Sequence, residues 1–486
     1  MKTIYKNTIK IKLLALVLIT GLLFSCGEDF IDLAPISDAN INNFYNTATD
    51  FETAVNGIYA SLQDPYNEYY VFAGIRSDQG DIQNTTGSFY QLYDEFDQFF
   101  LDPANPILQR AWTNYYRTIA RANTLVDRID GVEIPESLAE RLKGEAQFLR
   151  ALSYFDLVRI FGDVPLVIKE VNDPLAGLEQ ERNAASIIYD QIISDLEDAA
   201  TLLPPNYTGN NVGRATSFAA KALLGKVYLT NGQPGLAESI LKDVIDNGGY
   251  SLLDDYASIF DVNNANHAES IFEIQYKSGL NFTGSSFTNV FAPGDSKMVP
   301  GDNQGFNRPT SDFLATYDEN DLRLDKSVGF FTSADGAIVD EPFTLKYMSN
   351  LENPYDSDNN WIVLRYADVL LMYAEALLEN GKSAEAIDVL NQVHAHPRTG
   401  LAAFTSTELS SDELIEQAIR EERKIELAFE GHRWFDLVRW DVYQEVMNAH
   451  TGLRPGVTVK EHHRLFPIPQ AEIDINPDGI TQNDGY

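Results

Sequence analysis

Residues 217–245 read SFAAKALLGKVYLTNGQPGLAESILKDVI. Apolar side chains recur every three to four positions on either side of an Asn-Gly pair, which predicts two helices joined by a tight turn. The pattern returns at a constant offset of 149 residues. The matched positions are Leu224 and Tyr373, Gly225 and Ala374, Gly232 and Gly381, Ala237 and Ala386, Leu241 and Leu390, and Val244 and Val393. The chain therefore contains an internal repeat of a helical pair.

The repeated pair has the residue types that two closely packed antiparallel helices need. A small residue lies near the middle of the first helix, glycine lies at the turn, and alanine comes early in the second helix. These features resemble a tetratricopeptide repeat. Stacked pairs of this kind form a curved solenoid, which is usually a binding scaffold and argues against a compact catalytic fold.

Helical periodicity extends well beyond the repeat, so we predict a mainly α fold, a tetratricopeptide-like solenoid of helical pairs. Further helices are predicted at 107–129, 138–160, 185–203, 362–378, 384–393 and 412–429. We place the helical repeats at about 107–247 and 362–449. They belong to a single body of residues 41–486 that ends in an extended C-terminal segment over 450–486.

Two long stretches between the helices lack a clear period. Residues 64–106 and 247–360 are rich in polar, glycine and aromatic residues, and they are too long for ordinary loops of a packed domain. They predict an irregular, loop-rich subdomain laid against the solenoid, with a few short strands such as 270–274. Functional surfaces concentrate on such segments, so we expect the ligand-binding insertions there.

The composition excludes several classes of protein. With 486 residues, of which 44% are hydrophobic, most of the chain can bury a core. There are 36 Lys and Arg against 72 Asp and Glu, a net charge of −36. A field of that sign disfavours nucleic acid, anionic lipid surfaces and polyanionic glycans, and favours a neutral or cationic ligand.

The N-terminus has the pattern of an export signal. Basic residues end at Lys12, an apolar run follows over 13–23, and the only cysteine of the sequence, Cys26, comes directly after a serine. The run is too short to span a bilayer, which indicates a signal peptide over residues 1–25. The small residue before the cysteine resembles a bacterial lipoprotein cleavage site. We therefore predict a lipidated Cys26, with palmitate among its acyl groups, and an acidic tether over 26–40.

Charged and histidine-rich motifs do not predict chemistry. At helical spacing the acidic and basic residues of one motif pair as Glu421 with Lys424, Arg423 with Glu426, and Glu430 with Arg433. The histidine clusters, His394 with His396 and His462 with His463, lack the spacing of a zinc site. No nucleophile elbow, phosphate-binding glycine loop or dinucleotide fingerprint is present in the sequence. We predict a binding protein with no catalytic residues, no cofactor and no metal.

Several motifs carry a resemblance to a known family. In order they are WTNYY at 112–116, GEAQFLRA at 144–151, FGDVP at 161–165, RYAD at 365–368, EER at 421–423, EGHRWFDLVRW at 430–440 and QNDGY at 482–486. In that order, after a lipoprotein signal, the chain resembles the SusD/RagB family of outer-membrane nutrient-binding lipoproteins over essentially its whole length.

The resemblance implies a lipid-anchored protein of the outer membrane that faces the cell exterior. It also implies that the protein captures oligosaccharides, or in some members peptides, and delivers them to a SusC-like TonB-dependent transporter. The family's binding residues vary, so none is carried over to a position of this sequence.

Candidate ligand contacts come from residue types alone. Residues 66–100 contain ten aromatics in 35 positions, interleaved with planar polar side chains. An aromatic ring can cover the apolar face of a sugar while planar groups pair with its hydroxyls. The predicted ligand-binding residues are Arg76, Asp78, Asp81, Asn84, Tyr90 and Tyr93 in this stretch, and Tyr276, Asn281, Phe306 and Arg308 in a second one.

Two alternatives remain open at this point. All four tryptophans lie in or beside framework motifs, and the acidic charge favours cations, so a peptide cargo is an alternative to a glycan. A lipid-anchored glycan hydrolase that uses a carboxylate pair is the second alternative. The sequence does not define the sugar, its linkage or the oligomeric state of a transporter complex.

Overall fold

The computed structural model describes residues 44–83, 87–173, 175–176, 180–280 and 283–486. The predicted signal peptide and the tether with Cys26 lie outside the described residues. Among the described residues, no helix combines the length and the apolar character needed to cross a membrane. The predicted mainly α architecture with a few short strands is confirmed.

The helices before the insertion are α1 (Ala48–Ser61), α2 (Gln63–Asn67), α3 (Ser88–Asp97), α4 (Pro106–Ile129), α5 (Glu136–Phe161), α6 (Ala185–Leu202), α7 (Ser217–Thr230) and α8 (Pro234–Asn247). The solenoid helices α4 to α8 begin and end close to the predicted bounds, whereas the sequence pattern does not predict α1, α2 and α3. The insertion carries α9 (Phe287–Phe291), α10 (Ser311–Leu314) and α11 (Leu324–Ser327). After it come α12 (Tyr366–Glu379), α13 (Ser383–His394), α14 (Asp412–Glu426), α15 (Arg433–Arg439), α16 (Tyr443–Ala449) and α17 (Gln470–Ile475).

The internal repeat corresponds to two packed helical pairs, α7–α8 and α12–α13. Gly225 of α7 meets α8 so closely that a Cβ atom there would lie 2.4 Å from a methyl carbon of Leu241. The turns contain Gly232 and Gly381 with positive φ of 68° and 75°, a conformation that other residues rarely adopt. The sequence offset therefore reflects a repeated packing requirement.

The helices stack as one continuous series. Each of α4 to α8 packs against the next, and α12 packs against both α8 and α13. The insertion between α8 and α12 therefore leaves the solenoid and returns to the same place. A single large hydrophobic core runs through the stack and under the insertion.

The short strands lie in the irregular part of the chain. They are β1 (Gly80–Asp81), β2 (Ser270–Ile274), β3 (Arg308–Pro309), β4 (Val328–Phe331), β5 (Glu341–Thr344) and β6 (Trp361–Arg365). All pair antiparallel in two-stranded sheets, β1 with β3, β2 with β6, and β4 with β5. The strand predicted at 270–274 is present.

The structure differs from the predicted elements at two places, the start of one helix and a helix within a stretch predicted as irregular. The helix predicted at 362–378 begins only at Tyr366, because Trp361–Arg365 forms β6; a short apolar run does not distinguish a buried strand from a helix. The stretch 64–106, predicted as irregular, contains the helix α3. Its period is hidden because Asp94 and Asp97 lie on the buried face of α3 beside aromatic rings.

A buried ion network ties the insertion to the solenoid. We call it the Glu426 network; it consists of Glu269, Arg323, Lys346, Arg365, Arg398, Glu426 and Glu430, all with side chains at most 1% exposed. The carboxylate of Glu426, at the end of α14, accepts hydrogen bonds from Arg365 at 2.7 Å and Arg398 at 2.7 Å. Its other oxygen accepts a hydrogen bond from Arg323 of the insertion at 2.8 Å.

The network determines the charge states of its members. Burial opposes ionisation of Glu426, but the guanidinium groups of Arg398, Arg365 and Arg323 hold its pKa well below the usual range. Burial lowers the pKa of Lys346 to about 8, although Glu430 lies 2.7 Å from its ammonium. The carboxylate of Glu426 is therefore ionised in the folded protein and depends on its arginine partners in place of water.

The ion pairs predicted within the charged motif are also wrong. Arg423 forms ion pairs with Asp368 at 2.8 Å and with Asp436 at 3.0 Å, and not with Glu426. Glu430 pairs with Arg365 and Lys346, whereas Arg433 pairs with Asp78. Lys424 likewise pairs with Asp78. Helical spacing misled the prediction because α14 ends at Glu426 and because Arg423, Glu426 and Glu430 are buried, where their partners come from other segments.

We expect Glu426→Gln to destabilise the protein by about 3–5 kcal/mol, because the change removes one charge and leaves three buried guanidinium groups underpaired. The free energy of unfolding in denaturant measures the effect. Glu416→Gln is the control, since Glu416 forms an exposed pair with Arg420 on α14, worth less than about 0.5 kcal/mol. Equal losses in the two variants would contradict the structural role of the network.

Candidate functional site

A cleft of about 640 Å³ lies where helix α4 meets the insertion, and we call it the aromatic cleft. Its lining residues are Asp64, Asn67, Glu68, Tyr70, Phe89, Tyr93, Gln109, Arg110, Thr113, Asn114, Arg117, Ser286, Val290, Gln304 and Tyr355. The solenoid supplies a polar wall, and α3 together with the insertion supplies aromatic rings. The cleft is thus assembled from both parts of the chain.

The polar wall is the outer face of α4. Thr113, Asn114 and Arg117 follow Arg110 by three, four and seven residues and so share one side of the helix with it. The opposite side is buried in the core. Asn105 caps the helix by accepting a hydrogen bond from the N–H of Ile107 at 2.9 Å, which fixes where α4 begins.

The charges of the wall cancel. Arg110 donates two hydrogen bonds to Glu68, at 2.9 and 2.5 Å, and Arg117 lies 3.2 Å from Asp64. Among the residues that the structure describes, no other charged side chain lines this cleft. In a protein of net charge −36, the aromatic cleft is therefore a locally neutral surface.

The aromatic wall is built on Phe306, which is completely buried. The ring of Tyr93 lies 4.2 Å from that of Phe306, and the ring of Phe89 lies 6.0 Å from it in a stacked arrangement. Phe89 itself is 46% exposed, an unusual position for a phenylalanine that is packed on one side. One face of the Phe89 ring therefore packs on Phe306, and the ring also borders the cleft.

Tyr355 is held in place by its backbone. Its φ of 58° lies in the left-handed region, which is strained for a tyrosine. The fully buried Asn289 accepts a hydrogen bond from the Tyr355 N–H at 2.7 Å and donates to the carbonyl oxygens of Pro300 and Asp302. Gln304 donates to the Tyr355 hydroxyl at 3.2 Å. The second ring of the cleft is thus positioned by several contacts.

This arrangement suits a ligand with one apolar and one polar face. The rings of Phe89 and Tyr355 can cover C–H groups, while Gln109, Asn114 and Gln304 offer amide donors and acceptors to hydroxyl groups. Among the described residues, no group of three or more His, Cys, Asp or Glu side chains is placed to hold a metal ion.

Three of the residues predicted from the sequence come together at this place. Tyr93 lines the cleft, Phe306 lies beneath it, and Tyr90 packs on Phe306 with ring centres 5.8 Å apart. Of these three, only Tyr93 borders the cleft itself. The contacts of Tyr90 and Tyr93 with a ligand stay predictions.

Asp81 and Arg308 also come together, but they bind each other. They face one another across the β1–β3 pair, with Arg308 donating to both oxygens of Asp81 at 2.7 and 2.8 Å and to Glu341 at 2.8 Å. Burial raises the pKa of Asp81 in spite of Arg308. Neither residue lines the aromatic cleft, so the structure gives them a role in joining strands.

Three other predicted residues lie in the interior, away from the cleft. Arg76 is fully buried with its guanidinium 3.9 Å above the ring of Phe99, and Tyr276 donates to the Gln63 carbonyl at 2.7 Å. Asp78 holds Arg433 and Lys424. Each of the three is engaged by other groups of the fold and none lines the aromatic cleft, so the structure makes them framework residues and not contacts of a ligand in this cleft. Asn84 and Asn281 lie outside the described residues.

Sequence reasoning missed most of the cleft. Phe89 belongs to the aromatic-rich stretch, but nothing in the sequence separates it from the nine other rings there. Tyr355 and Gln304 lie in segments without a period. The polar wall of α4 did leave a signal, because Arg110, Asn114 and Arg117 repeat at helical spacing opposite the apolar face.

The fold and the cleft define a class: a helical-repeat protein with a cleft between the solenoid and an irregular insertion. Residues 337–486 match the family profile described as the SusD family, and residues 29–229 match the profile described as starch-binding associating with outer membrane. The chain belongs to the SusD/RagB family.

Relatives match over most of the chain. A SusD-like protein of Formosa agariphila is 29% identical over 99% of both chains. The starch-binding protein SusD of Bacteroides thetaiotaomicron is 24% identical, with 79% of this chain and 80% of the relative covered. The solved structure of a laminarin binding SusD-like protein has 27% sequence identity and a TM-score of 0.77, covering 91% of this chain and 100% of the other.

We expect Asp97 to make stability depend on pH. Burial, followed by the nearby Asp81, raises the pKa of this carboxyl at the end of α3 to about 8. Since an unfolded aspartate titrates near about 4, the folded state binds one more proton between about pH 4 and 8. Stability is therefore lost as the pH rises through that window, by up to about 1.4 kcal/mol per pH unit.

Unfolding in denaturant at several pH values measures this dependence. Asp97→Asn removes the titrating group, so the variant should show a smaller loss between pH 5 and 9 and exceed the unchanged protein in stability at the alkaline end. Asp478→Asn changes an exposed aspartate and serves as the control. An identical pH profile for Asp97→Asn and the unchanged protein would contradict the raised pKa.

Proposed function

We propose that this protein captures neutral oligosaccharides in the aromatic cleft and delivers them to a SusC-like TonB-dependent transporter of the outer membrane. The observation that carries the proposal is the cleft itself, in which exposed rings stand opposite a polar, charge-balanced helix face. A sugar ring has the matching surfaces, an apolar face of C–H groups and an edge of hydroxyls.

The names of the relatives support the choice of ligand. The starch-binding protein and the laminarin binding protein are named for polysaccharides without charge. The −36 net charge of this chain fits a neutral ligand and opposes an anionic one. Delivery to a transporter, the lipid anchor at Cys26 and a position on the cell exterior rest on family membership and on the N-terminal sequence.

The carboxylates of the cleft support binding over hydrolysis. Glycosidases need one carboxyl as acid and a second as base or nucleophile. In the aromatic cleft, both Asp64 and Glu68 are engaged by arginines. Incubation of a bound oligosaccharide with the protein for a day should leave it intact.

We expect Phe89→Ala and Tyr355→Ala each to weaken oligosaccharide binding by about tenfold, since a ring-to-sugar contact is worth about 1 kcal/mol or more. Isothermal titration with α- and β-linked neutral oligosaccharides measures the loss. Phe100→Ala is the matched control: Phe100 is 47% exposed, close to the 46% of Phe89, but does not line the cleft. Equal effects of Phe89→Ala and Phe100→Ala would place the site elsewhere.

Salt separates the glycan from a cationic peptide as cargo. Because the cleft is locally neutral, affinity for a neutral oligosaccharide should change less than twofold between about 50 and about 500 mM NaCl. A cationic peptide held by the acidic protein should lose affinity over the same range. Peptide cargo in the same cleft would be established if no oligosaccharide binds and if a cationic peptide binds with a salt-sensitive affinity that Tyr355→Ala weakens.

A further inference from the structure

A second concave surface lies on the outer side of α14, against α15 and α16. It consists of two adjoining cavities of about 730 and 250 Å³, which share Glu413, Glu416, Arg420 and Trp440. We call it the acidic groove. It has no lining residue in common with the aromatic cleft, so it is a separate surface.

The floor of the groove is apolar. Ile425 of α14, Leu437 of α15, and Val442 and Val446 at α16 line its larger cavity. Trp440 stands at the junction of the two cavities, where its indole N–H donates to Glu375 at 2.9 Å. This hydrogen bond fixes the ring at the junction, so the groove is a formed feature with apolar surface open to an occupant.

The rim carries acids that no cation neutralises. Every basic residue of the larger cavity already has an acidic partner: Arg420 pairs with Glu416, and Lys424 and Arg433 both pair with Asp78. His450 is held by Asp312.

Three further acids of the larger cavity remain, Glu413, Glu421 and Glu445. Within the described part of the chain none of the three forms an ion pair; Glu421 accepts a hydrogen bond from Gln417 at 2.8 Å. Uncompensated acids around an apolar floor attract a ligand that carries both cations and apolar groups.

The shape selects the kind of cationic ligand. Glu413 and Glu421 are eight residues apart on α14, which at 1.5 Å per residue separates them by about 12 Å along the helix. A single small cation cannot meet both, whereas a chain with cations at intervals can. An anionic membrane surface would be repelled by these acids.

We propose that the acidic groove is a docking site for a basic polypeptide segment whose lysines or arginines alternate with apolar side chains. The cations meet Glu413, Glu421 and Glu445 at the rim, and the apolar side chains lie on the partly exposed Trp440, Val442 and Val446. Burial of these apolar groups supplies affinity, and the rim charges set the orientation and the preference for a basic partner.

A labelled eight-residue peptide of alternating lysine and leucine, titrated into the purified protein at low salt by fluorescence anisotropy, tests the proposal. We expect saturable binding that the triple variant Glu413→Gln, Glu421→Gln and Glu445→Gln weakens at least tenfold. The control is the triple variant Glu133→Gln, Glu136→Gln and Glu140→Gln, which removes three exposed charges from another part of the surface. Each triple variant changes one glutamate in the first turn of a helix, Glu136 in the control and Glu413 in the groove. The control variant should bind within twofold of the unchanged protein.

A second peptide of alternating lysine and serine tests the floor and should bind at least tenfold more weakly. The proposal is overturned if the two triple variants behave alike, since attraction would then be a property of overall charge, or if the serine peptide binds as tightly. Circular dichroism verifies that both variants are folded. Oligosaccharide binding should be unchanged in both variants, which keeps this result independent of the aromatic cleft.

Discussion

The contacts of one buried carboxylate, Glu426, hold together the two parts of the molecule. It ends α14 in the solenoid, yet its oxygens bind Arg365 at the end of β6, Arg398 after α13 and Arg323 in the insertion. A buried carboxylate is tolerated only when such partners replace water. Because four of these charges meet at one point, the insertion has a single permitted position against the helices.

The aromatic cleft depends on that position. Its polar wall belongs to α4, whereas Gln304 and Tyr355 belong to the insertion, so the width of the cleft is set by how the insertion sits on the solenoid. A second contact reinforces the arrangement, since Phe306 of the insertion packs under Phe89 and Tyr93 of α3. Ionic and aromatic contacts thus fix the same geometry from two sides.

The sequence was sufficient for the solenoid and insufficient for the cleft, and the reason is physical. The side chains of a helix return to the same face every 3.6 residues, so the spacing of apolar residues within α5 or α12 is enough to predict the helix. The partners of Glu426 lie 28 to 103 residues away, and local spacing offered Arg423 instead. Tyr355 is positioned by Asn289, which is 66 residues distant. Contacts of this range have no period that a single sequence can reveal.

The neutrality of the cleft also determines where ligand selectivity can reside. With Asp64 and Glu68 both engaged by arginines, the field inside the cleft cannot distinguish one neutral sugar from another. Selection must come from the placement of rings and amides. On α4 that placement is constrained, because a shift of its polar face would move Ile107 and Leu108 out of the core. Gln304 and Tyr355 lie outside the helices and strands of the fold. The insertion is therefore the part of the fold in which ligand choice can change while the solenoid stays the same.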